Sequence, residues 1–139
     1  MTNKNSDKKL IIRRPMSIKI VSEWLLEKES FYLVIGNFLD KFKVAEKTMQ
    51  EWMLEEEPLW LDDDIYRAYL ASMAHKLAHD WEHKYIPDWV FKDIYFLPGN
   101  RPWFSVNTEG RLREKLLIFS PSQFKIRNLF VSPDVFFRI

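Results

Sequence analysis

The chain has no cysteine and only three glycines among 139 residues. Without cysteine there are no disulfides, no thiolate nucleophile and no Cys-based zinc or iron–sulfur site. Gly36, Gly99 and Gly110 stand too far apart to form a phosphate-cradling glycine loop. No apolar run reaches membrane-spanning length, so no membrane role is expected. The opening MTNKNSDKKL is polar and lacks the apolar core of a secretory signal. Cytoplasm is therefore the expected compartment, and a reducing one fits the lack of cysteine. Net charge is only +1, which argues against tight nucleic-acid binding.

Charge is nonetheless unevenly placed. Residues 1–19 hold six Lys/Arg and one Asp, whereas residues 20–100 hold eight bases and sixteen acids. Residues 101–139 hold seven bases and three acids, a net of +4. The basic ends can lie against the acidic middle or meet an acidic partner. Aromatic residues reach 16 %, with eleven Phe, six Trp and five Tyr. Such rings fill cores and anchor interfaces.

Periodicity predicts a mainly α protein. Residues 1–15 read as a flexible basic lead, and residues 16–139 as a single-domain helical bundle. Ile18, Val21, Trp24 and Leu25 predict a first helix over about 17–27. A long periodic run follows from the cap Ser30 to the stop at Pro58, with Gly36 as a tight crossing or a break. Asp62, Asp63 and Asp64 suit the start of a third helix, which should run to Tyr85 before Pro87. Residues 86–107 read as an ordered aromatic loop. Its alternative is a minor β-hairpin of DIYFL and PWFSV near residues 93–106, kept to an edge by Pro102. Thr108 can cap a helix through GRLREKLLIF with Leu112, Leu116 and Leu117 facing inward, and FKIRNLFV reads as a short strand or extended cover. A last short helix is expected through Val135, Phe136 and Phe137.

The three histidines, His75, His79 and His83, are spaced by four. On one continuous helix they form a stripe able to share a metal ion, as in zinc-binding HExxH helices. A metal-dependent enzyme using this stripe and a remote carboxylate is one reading. Against it, Lys76 occupies the place of the general base, and no other His or Cys can complete the shell. The competing reading is structural or solvent-exposed imidazoles beside a closely packed alanine face. No cofactor is expected. The triplets Glu55–Glu57 and Asp62–Asp64 fit a helix end and a helix start, or an acidic docking surface. They lack the oxygen spacing and the glycine of a calcium loop.

A third reading is a weak nucleic-acid-binding module. Arg101, Arg111, Arg113, Lys115, Lys125 and Arg127 lie among Trp103, Phe104, Phe124 and Phe130, a mixture that can stack bases and meet phosphates.

The motif series YLA-x-x-A-H-x-L-A, PDWV, RPWF, Leu112-Arg113, Ser120-Pro121 and Arg127-Asn128-Leu129-Phe130-Val131 resembles a group of small bacterial proteins. Members are encoded beside nucleotidyltransferase toxins as the partner gene. The resemblance spans about residues 50–139. Where those tails carry an arginine-rich triplet before Asn, this chain has Lys125-Ile126-Arg127. The toxin signature itself, Gly-Ser followed by paired aspartates, is absent. The resemblance implies an antitoxin-like accessory role and a protein partner from a neighbouring gene, not catalysis. The leading expectation is a non-enzymatic binding protein that occludes its partner through an aromatic and basic C-terminal surface. Trp103, Phe104, Arg111, Arg113, Arg127 and Phe130 are the candidate contacts.

Overall fold

A computed structural model describes residues 16–106 and 110–136. The lead at 1–15 and the cap at Thr108 lie outside the described residues, as does Phe137 of the last expected helix, whose described part at 133–136 forms a turn with the Val135 N–H on the Ser132 carbonyl at 3.1 Å. Six helices are described: α1 (Ile18–Leu26), α2 (Phe31–Val44), α3 (Lys47–Glu55), α4 (Asp64–Asp80), α5 (Gly110–Phe119) and α6 (Ser122–Lys125). Two 3-10 turns, Asp88–Phe91 and Asp93–Tyr95, and two short strands, β1 (Trp103–Phe104) and β2 (Leu129–Phe130), complete them. The mainly α expectation holds. The chain forms two compact units that meet in sequence at Trp60 and Leu61.

The first unit contains α1, α2 and α3. Ser17 caps α1 by accepting the Ile20 N–H at 3.2 Å. Met16, Ile18, Val21 and Leu25 are buried. The helix ends with Lys28 in the left-handed region (φ 68°). There the Glu29 N–H reaches the Trp24 carbonyl at 3.2 Å and the Lys28 N–H reaches Leu25 at 3.1 Å. This Schellman closure satisfies carbonyls that a helix end leaves open.

The long periodic run is two helices rather than one. Gly36 is buried inside α2, and the break comes later, where Ala45 and Glu46 are extended. The buried Gln50 side chain donates from Nε2 to the Phe42 carbonyl at 2.9 Å. It thereby adds a second donor to a carbonyl that also accepts the Ala45 N–H at 3.2 Å. Phe38 and Phe42 stack with centroids 6.0 Å apart. The buried Ser22 hydroxyl donates to the Lys19 carbonyl at 2.5 Å and accepts the Leu59 N–H at 2.9 Å.

The second unit is organised on α4. Asp63 caps it, accepting the N–H groups of Ile65 and Tyr66 at 2.9 and 3.1 Å. Ala68, Ala71, Ala74 and Ala78 are buried together with Leu70, Met73 and Leu77. Small side chains on one side and large ones on the other let α4 be covered around most of its circumference. The two 3-10 turns and α6 are among its neighbours. Tyr69 meets Phe124 edge-on at 5.2 Å, and Phe124 meets Phe136 at 5.8 Å.

The aromatic loop is ordered, but its strand pairing differs from the hairpin alternative. Asp93–Tyr95 turns as a 3-10 helix: the Phe96 N–H bonds to the Asp93 carbonyl at 3.1 Å, and the Ile94 carbonyl accepts from Arg67 Nε at 3.1 Å. Trp103–Phe104 instead runs parallel to Leu129–Phe130, with Trp103 opposite Leu129 and Phe104 opposite Phe130. Asn128 makes this register. It takes the left-handed region (φ 66°), as Asn does readily, and its amide donates to the Pro98 carbonyl at 2.7 Å. The bonds Leu97 N–H to Arg127 O, Trp103 N–H to Asn128 O and Ser105 N–H to Phe130 O then zip residues 97–105 along 127–130.

Candidate functional site

The histidine stripe does not survive as a continuous stripe. α4 stops at Asp80, five residues before the expected end at Tyr85. Trp81 is its C-cap, and Glu82 follows in the left-handed region (φ 54°). The His83 N–H bonds to the Ala78 carbonyl at 2.9 Å and the Glu82 N–H to His79 at 3.2 Å. This is the same Schellman closure as at α1, and it places His83 beyond the helix, out of the four-residue repeat.

The two helical imidazoles have separate surroundings. His79 is exposed, its Nδ1 lying 3.2 Å from Asp80 Oδ1. Lys76 holds the other Asp80 oxygen at 2.6 Å, one turn apart on the helix. Partial burial raises the Asp80 carboxyl, and the hydrogen bonds and charges of Lys76 and His79 outweigh it, leaving it below its ordinary value. His75 is half-buried and packs edge-on against Phe91 at 5.1 Å. Its Nδ1 faces Arg127 Nη1 at 3.2 Å. A guanidinium can only donate, so Nδ1 is the acceptor and the ring proton sits on Nε2. Burial, then the Arg127 charge, then His79 push His75 down to about 4, so it is neutral at pH 7. Among the described residues no group of three or more His, Cys, Asp or Glu is placed to hold a metal ion.

Arg127 is the centre of the second unit, not a surface contact. It was expected at a partner interface, but its exposure is 0 %. Nη2 donates to the Val90 carbonyl at 2.7 Å and Nη1 to the Gln123 carbonyl at 2.8 Å. The guanidinium lies over the Phe96 ring, 4.7 Å from its centroid. Nε has no partner. Burial lowers Arg127 to about 10, still protonated at neutral pH. A rigid fork with several donors can join the 3-10 turn, the start of α6 and α4 at once, which a lysine could not.

Several motif residues of the C-terminal half make contacts within the second unit. PDWV forms the first 3-10 turn, whose Val90 carbonyl accepts from Arg127 and whose Trp89 meets Tyr95 edge-on at 5.2 Å. Ser120, buried at the end of α5, accepts the Val131 N–H at 2.9 Å, and its hydroxyl faces the Leu116 and Val131 carbonyls. Asn128 makes the left-handed turn, Leu129 and Val131 are buried, and Phe130 stacks on Phe104 at 5.0 Å. Sequence reading took Arg127 as a free cation because nothing local says it is buried. Its tether to residues 75 and 90 is visible only in three dimensions.

The remaining candidate contacts lie at the surface or just beneath it. Trp103, Phe104 and Phe130 are half-buried, and Arg111 and Arg113 are exposed. Arg113 covers the Phe104 ring at 4.1 Å, so Arg113, Phe104 and Phe130 form a cation–ring–ring stack. Other members of the basic set are occupied. Arg101 pairs with Asp64 at 2.8 Å, and Lys125 donates to the Ile118 carbonyl.

Sequence reading missed the most exposed apolar surface nearby. It faced Leu112, Leu116 and Leu117 inward, yet Leu116 is the only buried residue of α5. Leu112 is 52 % exposed, Leu117 44 %, Ile118 61 % and Phe119 59 %. The available signal was the crowding of four apolar residues at 116–119, which no single helix face can bury.

No protein-family model, no curated protein and no solved structure matches this chain. Among the described residues, no helix is long and apolar enough to cross a membrane.

Proposed function

We propose that the chain is a non-enzymatic binding protein, antitoxin-like in role, that acts by covering a partner protein with its C-terminal surface. The observation carrying this reading is the apolar surface of α5: Leu112, Leu117, Ile118 and Phe119 stand in solvent on two sides of one ten-residue helix. Dehydrating these side chains stabilises a complex, at roughly 25 cal/mol per Å² of apolar area. The Arg113–Phe104–Phe130 stack holds a charged, aromatic platform within the same unit. The contact set therefore becomes Leu112, Leu117, Ile118, Phe119, Arg111, Arg113 and Phe104, and the buried Arg127 leaves it.

The catalytic alternative has less to stand on. His75 gives its Nδ1 to Arg127, Asp80 is held by Lys76, and His83 leaves the helix. The nucleic-acid alternative loses Arg101, Lys125 and Arg127 to contacts within the chain. Co-expression with the product of the neighbouring gene, followed by gentle co-purification, tests the proposal. A stoichiometric complex that Phe119→Ser dissociates is the expected result. A neighbour that co-purifies equally well with Phe119→Ser and with Leu112→Ser refutes docking through α5.

A further inference from the structure

We infer that α5 is shaped for a groove in a partner protein whose apolar floor is rimmed by carboxylates, an inference that rests on the binding reading above. Leu112, Leu116 and Phe119 recur at the i, i+4, i+7 spacing and make one stripe along the helix. Leu116 is sunk into the unit, and its two neighbours on the stripe stand out. Arg111 and Lys115 flank the stripe on one side. Arg113 flanks it on the other, held over the Phe104 ring at 4.1 Å. Glu114 is the only acid among the ten residues of α5, against three cations.

This charge pattern selects among occupants. A second copy pairing its own α5 about a two-fold axis would press like charges together along a dehydrated seam. The first fifteen residues of the chain, with five bases and one acid, carry the same sign as α5. A carboxylate rim gains attraction on both flanks. An anionic bilayer shares that attraction but not the shape. Leu117 and Ile118 project on the side of α5 that carries Glu114, away from the Leu112–Phe119 stripe, and both are exposed. A flat surface wets one side of a helix, and a groove dehydrates two.

The test uses the full chain and a fluorescent synthetic two-helix hairpin that presents an open leucine groove rimmed by glutamate. Its twin carries lysine along the rim. The glutamate hairpin is expected to bind and the lysine twin not. Binding should weaken by about tenfold or more in Arg111→Glu/Lys115→Glu, and should fall as salt is raised. Circular dichroism verifies that the variants, all at exposed positions, remain folded. Equal binding of both hairpins, lost in Phe119→Ser, rejects the carboxylate rim and leaves docking by α5 standing. No binding of either hairpin rejects the inference, as does self-association that Phe119→Ser abolishes. Co-sedimentation with phosphatidylglycerol vesicles while both hairpins stay free also rejects it, in favour of a lipid surface.

Discussion

Arg127→Ala is expected to be among the most destabilising single substitutions in the second unit. The side chain is fully buried and donates to two carbonyls, Val90 at 2.7 Å and Gln123 at 2.8 Å. Removing it leaves those acceptors without donors, at about 1–3 kcal/mol each when buried. The vanished stem leaves a cavity worth about 1–2 kcal/mol, and the Phe96 face loses its cation. Relief of the guanidinium's own desolvation offsets part of this. The net loss comes to about 3–5 kcal/mol, a large share of the ~5–15 kcal/mol of a typical domain. In urea, with a slope of about 1–3 kcal/mol per molar, the midpoint should fall by about 1–5 M. Arg127→Met keeps the stem and should lose less than Ala. Arg127→Lys should recover only part, because one ammonium cannot span acceptors on two segments. A loss below about 1 kcal/mol for Arg127→Ala, by equilibrium unfolding followed in the near- and far-ultraviolet, refutes the claim that Arg127 ties the unit together.

His75 has its folded pKa pushed down from 6.5 to about 4, so stability is full above pH 6.5 and is lost as pH falls from there through 4. Full conversion at 1.36 kcal/mol per unit overstates a partly exposed ring, and about 1–2 kcal/mol is the expected loss. Unfolding midpoints across this range should flatten in His75→Gln, and an unchanged slope counts against the assignment. Gln50→Ala should cost about 1 kcal/mol in thermal unfolding by removing the buried amide's bond to the Phe42 carbonyl, while the Ala45 N–H stays on that carbonyl, and a neutral result counts against a role for the amide at the α2–α3 break. Protein purified without metal and dialysed against zinc should retain no stoichiometric ion by elemental analysis. One retained equivalent that His75→Ala removes would revive the metal reading.

Most helices were legible because their signals are local. Ser17 and Asp63 cap with short side chains, and Ile18, Val21 and Leu25 repeat at helical spacing. The α2–α3 break was not located by Gly36, read as a tight crossing or a break, because that residue is buried inside α2. The real break at Ala45–Glu46 is held by Gln50, a side chain eight residues from the carbonyl it satisfies. The α4 terminus was overrun because Glu82 adopts a left-handed conformation that no residue type at that position advertises.

The sequence by itself determined the helical class, the absence of thiol chemistry and the concentration of cations and rings near the C-terminus, since composition and short-range spacing carry these. Only the tertiary structure decided which of those groups meet solvent. It buried Arg127 behind residues 75, 90 and 123, took Nδ1 of His75 out of any ligand set, and left Leu112, Leu117, Ile118 and Phe119 uncovered. Burial depends on what distant segments bring to a face, and a one-dimensional pattern does not encode that partner.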